Sequence, residues 1–296
     1  WWPEVGNVQL YFAVEAPIKW KADLTGYEPA LVDTYDWSED GKTFTMHMRE
    51  GLKWSDGEPY TSADWKFYWE DLANAPEQKL YSVPAYLRND DGTPITMEFP
   101  DDYTVIWKAA DRPLYIDPYF MAQGFWEFAK SMMKPAHYLK AFHPKYTDGK
   151  TWEDMEAADK WWQTPGYPCL FAWCLTTLSD DGQNYTFGRN AYYWRVDTAG
   201  NQLPYIDDIS VEIVADEQTR ILNCSQGKYD TAFRICGSPN EIPFLMDNAE
   251  KGGYHLLENY MNGAGTWPGY MVNQYYVEGG KNYEDDTPEH AAEISA

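Results

Sequence analysis

Positive charge is scarce in this sequence. Its 296 residues carry 23 Lys and Arg against 47 Asp and Glu, a formal net charge of -24, with a pI near 4.4. A field of that sign repels phosphate backbones, so nucleic acid is a poor partner for this surface and none is expected, and the acidity reads first as a solubility device. No apolar run is long enough to span a bilayer as a helix, and the mean hydropathy is -0.63. The catalytic signatures HExxH, G-x-S-x-G and the phosphate loop are all missing, and Gly263-Ala264-Gly265 is followed by Pro268 where a dinucleotide fingerprint needs Gly. Cysteine is limited to Cys169, Cys174, Cys224 and Cys236, at spacings that do not match a zinc knuckle. Free buried thiols are the expectation for these four, with two disulfides as the alternative in an oxidising compartment. His137 and His143 stand six apart, not the i, i+4 of a shared metal. Neither a metal nor a cofactor is expected.

What the chain does have is apolar and aromatic mass, 44% and 17% of residues, enough to exclude disorder and to fill more than one lobe. Residues 29–73 read as strand, turn, strand, turn, helix. Asp40-Gly41 is a tight-turn dipeptide, and beyond it Phe44, Met46 and Met48 share one strand face. Ser55-Asp56-Gly57 makes a second turn. Thr61 and Asp64 then have the spacing of a reciprocal helix cap, followed by a Trp65, Tyr68, Trp69, Leu72 stripe. Residues 95–99 and 103–107 predict a second hairpin after the turn Asp90-Asp91-Gly92, joining the first in a small antiparallel sheet that carries the Trp65 helix. Ile209, Val211 and Ile213 predict a strand, and Glu217 to Leu222 a helix.

The wording of two segments goes further than their periodicity. Pro29-Ala30-Leu31, Trp37, Asp40-Gly41-Lys42-Thr43-Phe44-Thr45, Arg49-Glu50-Gly51-Leu52-Lys53-Trp54-Ser55-Asp56-Gly57, Pro59 and Thr61 closely resemble the signature of the family 5 extracellular solute-binding proteins, the peptide and nickel receptors of ABC importers. Arg189-Asn190-Ala191-Tyr192-Tyr193-Trp194, with Gly200-Asn201-Gln202-Leu203-Pro204-Tyr205-Ile206-Asp207, is similar to a second motif of that family, with Ala191 where Pro is usual.

The resemblance implies a mixed α/β, α+β chain with part of a periplasmic binding protein-like class II fold. Residues 1–28 and 160–268 are expected to be parts of the large lobe, 29–159 an inserted smaller lobe, and 269–296 the crossover and start of a second ligand-binding lobe. Thr287-Pro288-Glu289 reads as a helix start only seven residues before the last one, so the chain is expected to be a fragment. The implied activity is binding without chemistry. An oligopeptide, or alternatively an oligosaccharide, would be held in a cleft between two lobes by a monomer outside the cytoplasm and passed to ABC permease subunits. A glycoside hydrolase is the weaker alternative. Phe125, Trp126, Trp267, Tyr270 and Asn273 are the candidate ligand-binding residues on this resemblance.

Overall fold

Residues 15–21, 23, 25–78, 80–111, 133–231 and 241–256 are described by the computed structural model. They fall into two units, Trp1–Val214 and Ala215–Ala296.

In the first unit, β1 (Ile18–Trp20) and β2 (Tyr27–Pro29) form a short antiparallel pair. The next four strands, β3 (Val32–Trp37), β4 (Thr43–Met48), β5 (Thr96–Asp101) and β6 (Thr104–Lys108), make one antiparallel sheet in the order β3-β4-β6-β5. The predicted alternation holds. Phe44, Met46 and Met48 are buried while His47 faces solvent. Phe44 stacks on Trp37 and meets Trp107 edge-on, so the register Trp37, Phe44, Trp107 places three rings side by side across three strands.

One turn design closes two of the hairpins. Ser38 N donates to Thr43 O, Gly41 N donates to Ser38 O, and Ser38 Oγ donates to Asp40. Between β7 (Trp173–Leu178) and β8 (Asn184–Arg189), Ser179, Asp181, Gly182 and Asn184 repeat these bonds one for one. Gly41 (φ 68°) and Gly182 (φ 67°) occupy the left-handed region that the turn demands. Strand β9 (Asp208–Glu212) completes a sheet ordered β7-β8-β9, whose Leu175, Tyr185 and Phe187 form a small core of their own.

Helix α1 (Ser62–Lys66) starts at the expected reciprocal cap: Thr61 Oγ1 accepts from Ala63 N, and Thr61 N donates to Asp64 Oδ2. The stripe Trp65, Tyr68, Trp69, Leu72 is buried. The chain departs from α-helical winding at Phe67–Ala73, which continues as a π-helix. The wider turn carries Phe67, Asp71 and Ala73 inward as well, so this stretch is buried nearly all round and only Glu70 stays exposed. Two short helices, α2 (Ala136–Leu139) and α3 (Trp152–Ala158), pack on the same core. Thr151 and Asp154 cap α3 as Thr61 and Asp64 cap α1. The main core runs without a break from Ile18 to Cys174.

The cysteines correct the sequence reading in part. Cys169 and Cys174 form a disulfide and are not free thiols. Spacing could not show this, because burial and pairing of a C-x4-C loop depend on how the loop folds over its neighbours. Cys236 lies outside the described residues.

In the second unit, α4 (Glu217–Ser225) is capped by Asp216, whose side chain accepts from Thr219 N, and α5 (Ile242–Gly252) ends on Gly253 in the left-handed region. Gly227, just beyond α4, packs against Gly252 at the end of α5. A Cβ added to Gly227 would lie 2.0 Å from Gly252 O, a distance no side chain tolerates.

Candidate functional site

Both signature segments contribute side chains that converge within the first unit. Arg49, just after β4, lays its guanidinium over the Trp194 ring at 4.7 Å, and Arg195 lies over the same ring at 4.8 Å. Beneath them Glu15 is only 1% exposed. Its carboxylate accepts from Lys19 Nζ at 2.8 Å and from Tyr193 Oη, and Arg195 Nε stands 3.4 Å away. Burial pulls the Lys19 amine below its ordinary value against the opposing pull of Glu15, and burial, reinforced by Glu15, pushes Tyr193 up. Among the described residues Glu15 Oε2, Arg195 Nη2 and Trp194 Nε1 are buried without a hydrogen-bond partner. The cluster therefore holds one carboxylate, one guanidinium and one indole donor with capacity left for a polar group or an ordered water.

A second polar centre joins the Ser55 turn and α1 to α2. Asp64, beyond capping its own helix, accepts from Ala136 N at 2.9 Å and from Trp54 Nε1 at 3.3 Å. Burial raises its carboxyl to about 6 in spite of these donors. His137 Nε2 lies 2.8 Å from the Asp56 carboxylate on the rim of the same junction. A third centre is Asp159 at the end of α3, which accepts from Lys134 Nζ at 2.6 Å, Tyr81 Oη at 2.8 Å and Tyr167 Oη at 2.9 Å. Lys134 is 2% exposed, so this is a buried ion pair with hydrogen bonds to spare. The carboxylates of Asp64 and Asp159 are committed to structural donors, which leaves neither poised as a general acid or base.

The two signatures are fastened by the loop 169–174. Cys169 N donates to Ser55 Oγ and Ser55 N donates to Cys169 O, both at 3.0 Å, while Asn190 donates from its side chain to Phe171 O and from its backbone to Ala172 O. A surface depression of about 470 Å³ lies between Glu77-Gln78 and the start of α3, lined also by Pro144, Trp152 and Glu156. Among the described residues there is no group of three or more His, Cys, Asp or Glu placed to hold a metal ion.

Phe125, Trp126, Trp267, Tyr270 and Asn273 all lie outside the described residues. Sequence reasoning missed the Glu15, Lys19, Tyr193, Arg195 cluster. Its only signal was that Arg49 and Trp194-Arg195 sit inside the two signatures, and nothing local says that segments so far apart in sequence share a ring.

The model of the bacterial extracellular solute-binding proteins, family 5, matches residues 26–278. The periplasmic alpha-galactoside-binding protein of Rhizobium meliloti is 34% identical over 185 residues, which are 62% of this chain and 25% of the relative. The periplasmic oligopeptide-binding protein OppA of Salmonella typhimurium is 25% identical over an alignment that covers 90% of this chain and 52% of the relative. Among solved structures, an oligopeptide-binding protein OppA superposes with a TM-score of 0.70 at 30% identity, covering 85% of this chain and 40% of that one. The periplasmic binding protein MelB of Agrobacterium fabrum, in complex with stachyose, gives 0.64 at 30% identity, covering 82% and 35%. The chain spans between a quarter and about half of the length of these curated relatives. It belongs to the bacterial extracellular solute-binding proteins of family 5.

Proposed function

We propose that this chain is part of the extracytoplasmic solute-binding component of an ABC importer, which holds an oligopeptide between two lobes and delivers it to permease subunits without transforming it. The observation that carries this reading is the family match over residues 26–278, with both signature segments built into one core through Ser55 and Asn190. The named relatives are binding proteins, and the buried carboxylates Asp64 and Asp159 are structurally committed, which supports binding over catalysis. A periplasmic or extracellular location accords with the Cys169–Cys174 disulfide, since such bonds persist in oxidising compartments, and with the relatives named periplasmic. No described helix is long and apolar enough to cross a membrane.

A specific observation favours a second cargo. The relative at 34% identity is named for alpha-galactosides, and a structure at 30% identity contains stachyose, so an oligosaccharide of that class is the alternative ligand. Phe125, Trp126, Trp267, Tyr270 and Asn273 are proposed to line the cleft, because flat rings and an amide suit peptide side chains and sugar faces alike. Isothermal titration calorimetry of the chain, extended to the length of its relatives, against tri- to pentapeptides and stachyose decides the matter. Tight binding of peptide supports the first reading, and tight binding of stachyose alone replaces it with the second. Cleavage of either ligand, or no heat from both, refutes the binding role.

A further inference from the structure

We propose that Cys169 and Cys174 are oxidised by a disulfide-exchange partner while the 169–174 loop is still solvent-exposed, and that this closure precedes docking of the loop between the Ser55 turn and Asn190. The inference rests on the extracytoplasmic reading above, which supplies the oxidising compartment.

The folded loop offers no route to its sulfurs. Cys169 is 2% exposed and Cys174 8%, and Phe171, at 0%, packs edge-on against Trp161 within the loop's footprint. Thiol–disulfide exchange needs a thiolate with access to the attacked sulfur, and burial among apolar side chains denies both. The same loop carries four backbone or side-chain bonds to the two signatures, with Ser55 114 residues away from Cys169 and Asn190 19 away from Phe171. Oxidation must therefore happen early, while the loop is free, and the closed loop then docks as a pre-shaped unit. One cysteine thiolate attacks the partner's disulfide and expels its first thiolate. The second cysteine thiolate then attacks the resulting mixed disulfide, forming Cys169–Cys174 and expelling the other. Two electrons and two protons pass from the pair of cysteine thiols to the partner, which leaves as two thiols.

Closing a loop of this size restricts the unfolded chain enough to raise the folded-to-unfolded ratio about 40-fold. The test is refolding of the denatured, reduced 296-residue chain with oxidised and reduced glutathione, with timed iodoacetamide quenches read by peptide mass spectrometry. The expected result is that the Cys169–Cys174 bond appears before either sulfur becomes protected from alkylation. The native oxidised chain is expected to resist millimolar dithiothreitol unless denaturant is added, and the Cys169→Ala, Cys174→Ala double variant to lose about 40-fold in the folded-to-unfolded ratio. Should the variant fail to fold, the quench order and the dithiothreitol resistance of the unaltered chain still decide. Protection of both thiols before bond formation, rapid reduction of the native bond, or an unchanged folding ratio would each overturn the proposal. These readouts do not depend on ligand, so failure to bind any solute would leave them standing and would strike only the binding role.

Discussion

Replacing Asp64 tests whether the junction of α1 and α2 is held as described. In Asp64→Ala three donors lose their acceptor: Thr61 N, Ala136 N and Trp54 Nε1. Loss of the helix cap costs about 1 kcal/mol. Each of the other donors, stranded in the interior, adds about 1–2 kcal/mol, so the total should be about 3–5 kcal/mol. The charge state gives a second, independent signature. Burial raises the Asp64 carboxyl from the ordinary 3.8 to about 6 in the fold, so the folded chain binds the proton more tightly than the unfolded chain. The associated stabilisation is fully present below the unfolded value and is lost as pH rises through about 6. Between pH 7.5 and pH 4.5 the unaltered chain should therefore gain about 2 kcal/mol relative to an Asp64→Asn variant, which cannot titrate there. Subtracting one urea unfolding series from the other removes the groups the two chains share. A difference that does not vary with pH, or an Asp64→Ala cost below about 1 kcal/mol, would refute this account of the junction.

Three further outcomes are expected. Gly57→Ala should destabilise by about 1 kcal/mol or more, because residue 57 sits at φ +94° and a Cβ there would lie 3.0 Å from the Tyr192 ring; an unchanged melting temperature would contradict it. Asp159→Ala should cost about 3–5 kcal/mol by leaving Lys134 as a buried charge without its carboxylate, and the Lys134→Met, Asp159→Leu pair should recover much of that loss in chemical denaturation. Gly227→Ala should loosen the α4–α5 contact, seen as faster amide exchange within α4 and α5, while amides of the β3-β4-β6-β5 sheet keep their protection.

The parts of the fold legible in sequence were those decided within about a dozen residues. The alternation of Phe44, Met46 and Met48, the cap of Thr61 and Asp64, and the turn at Asp40-Gly41 each follow from local geometry. The π-helical winding at Phe67–Ala73 was not legible, because the partners of this stretch are distant in sequence: Phe67 packs on His143 and Tyr146, and the Asp71 carboxylate accepts from Lys145 and Tyr146. The same limit applies to the cluster around Glu15. Tyr193 reaches a carboxylate 178 residues away, and a lone sequence carries no trace of that pairing. The disulfide lies between these cases, since its spacing was visible and its closure was not.

The hairpin turns also give a meaning to part of the protein's surface acidity. Asp40, Asp91, Asp181, Asp197 and Asp216 each accept from backbone amides or hydroxyls of their own turn or helix start, and those bonds hold their carboxyls below the ordinary range. Their contribution is present above the unfolded value and fades only as pH falls through the depressed one, so these turns outlast mild acid. It follows that the surface cannot be neutralised at will. A redesign that swaps acids for amides or lysines to moderate the net charge would remove staples along with charge if it chose these five.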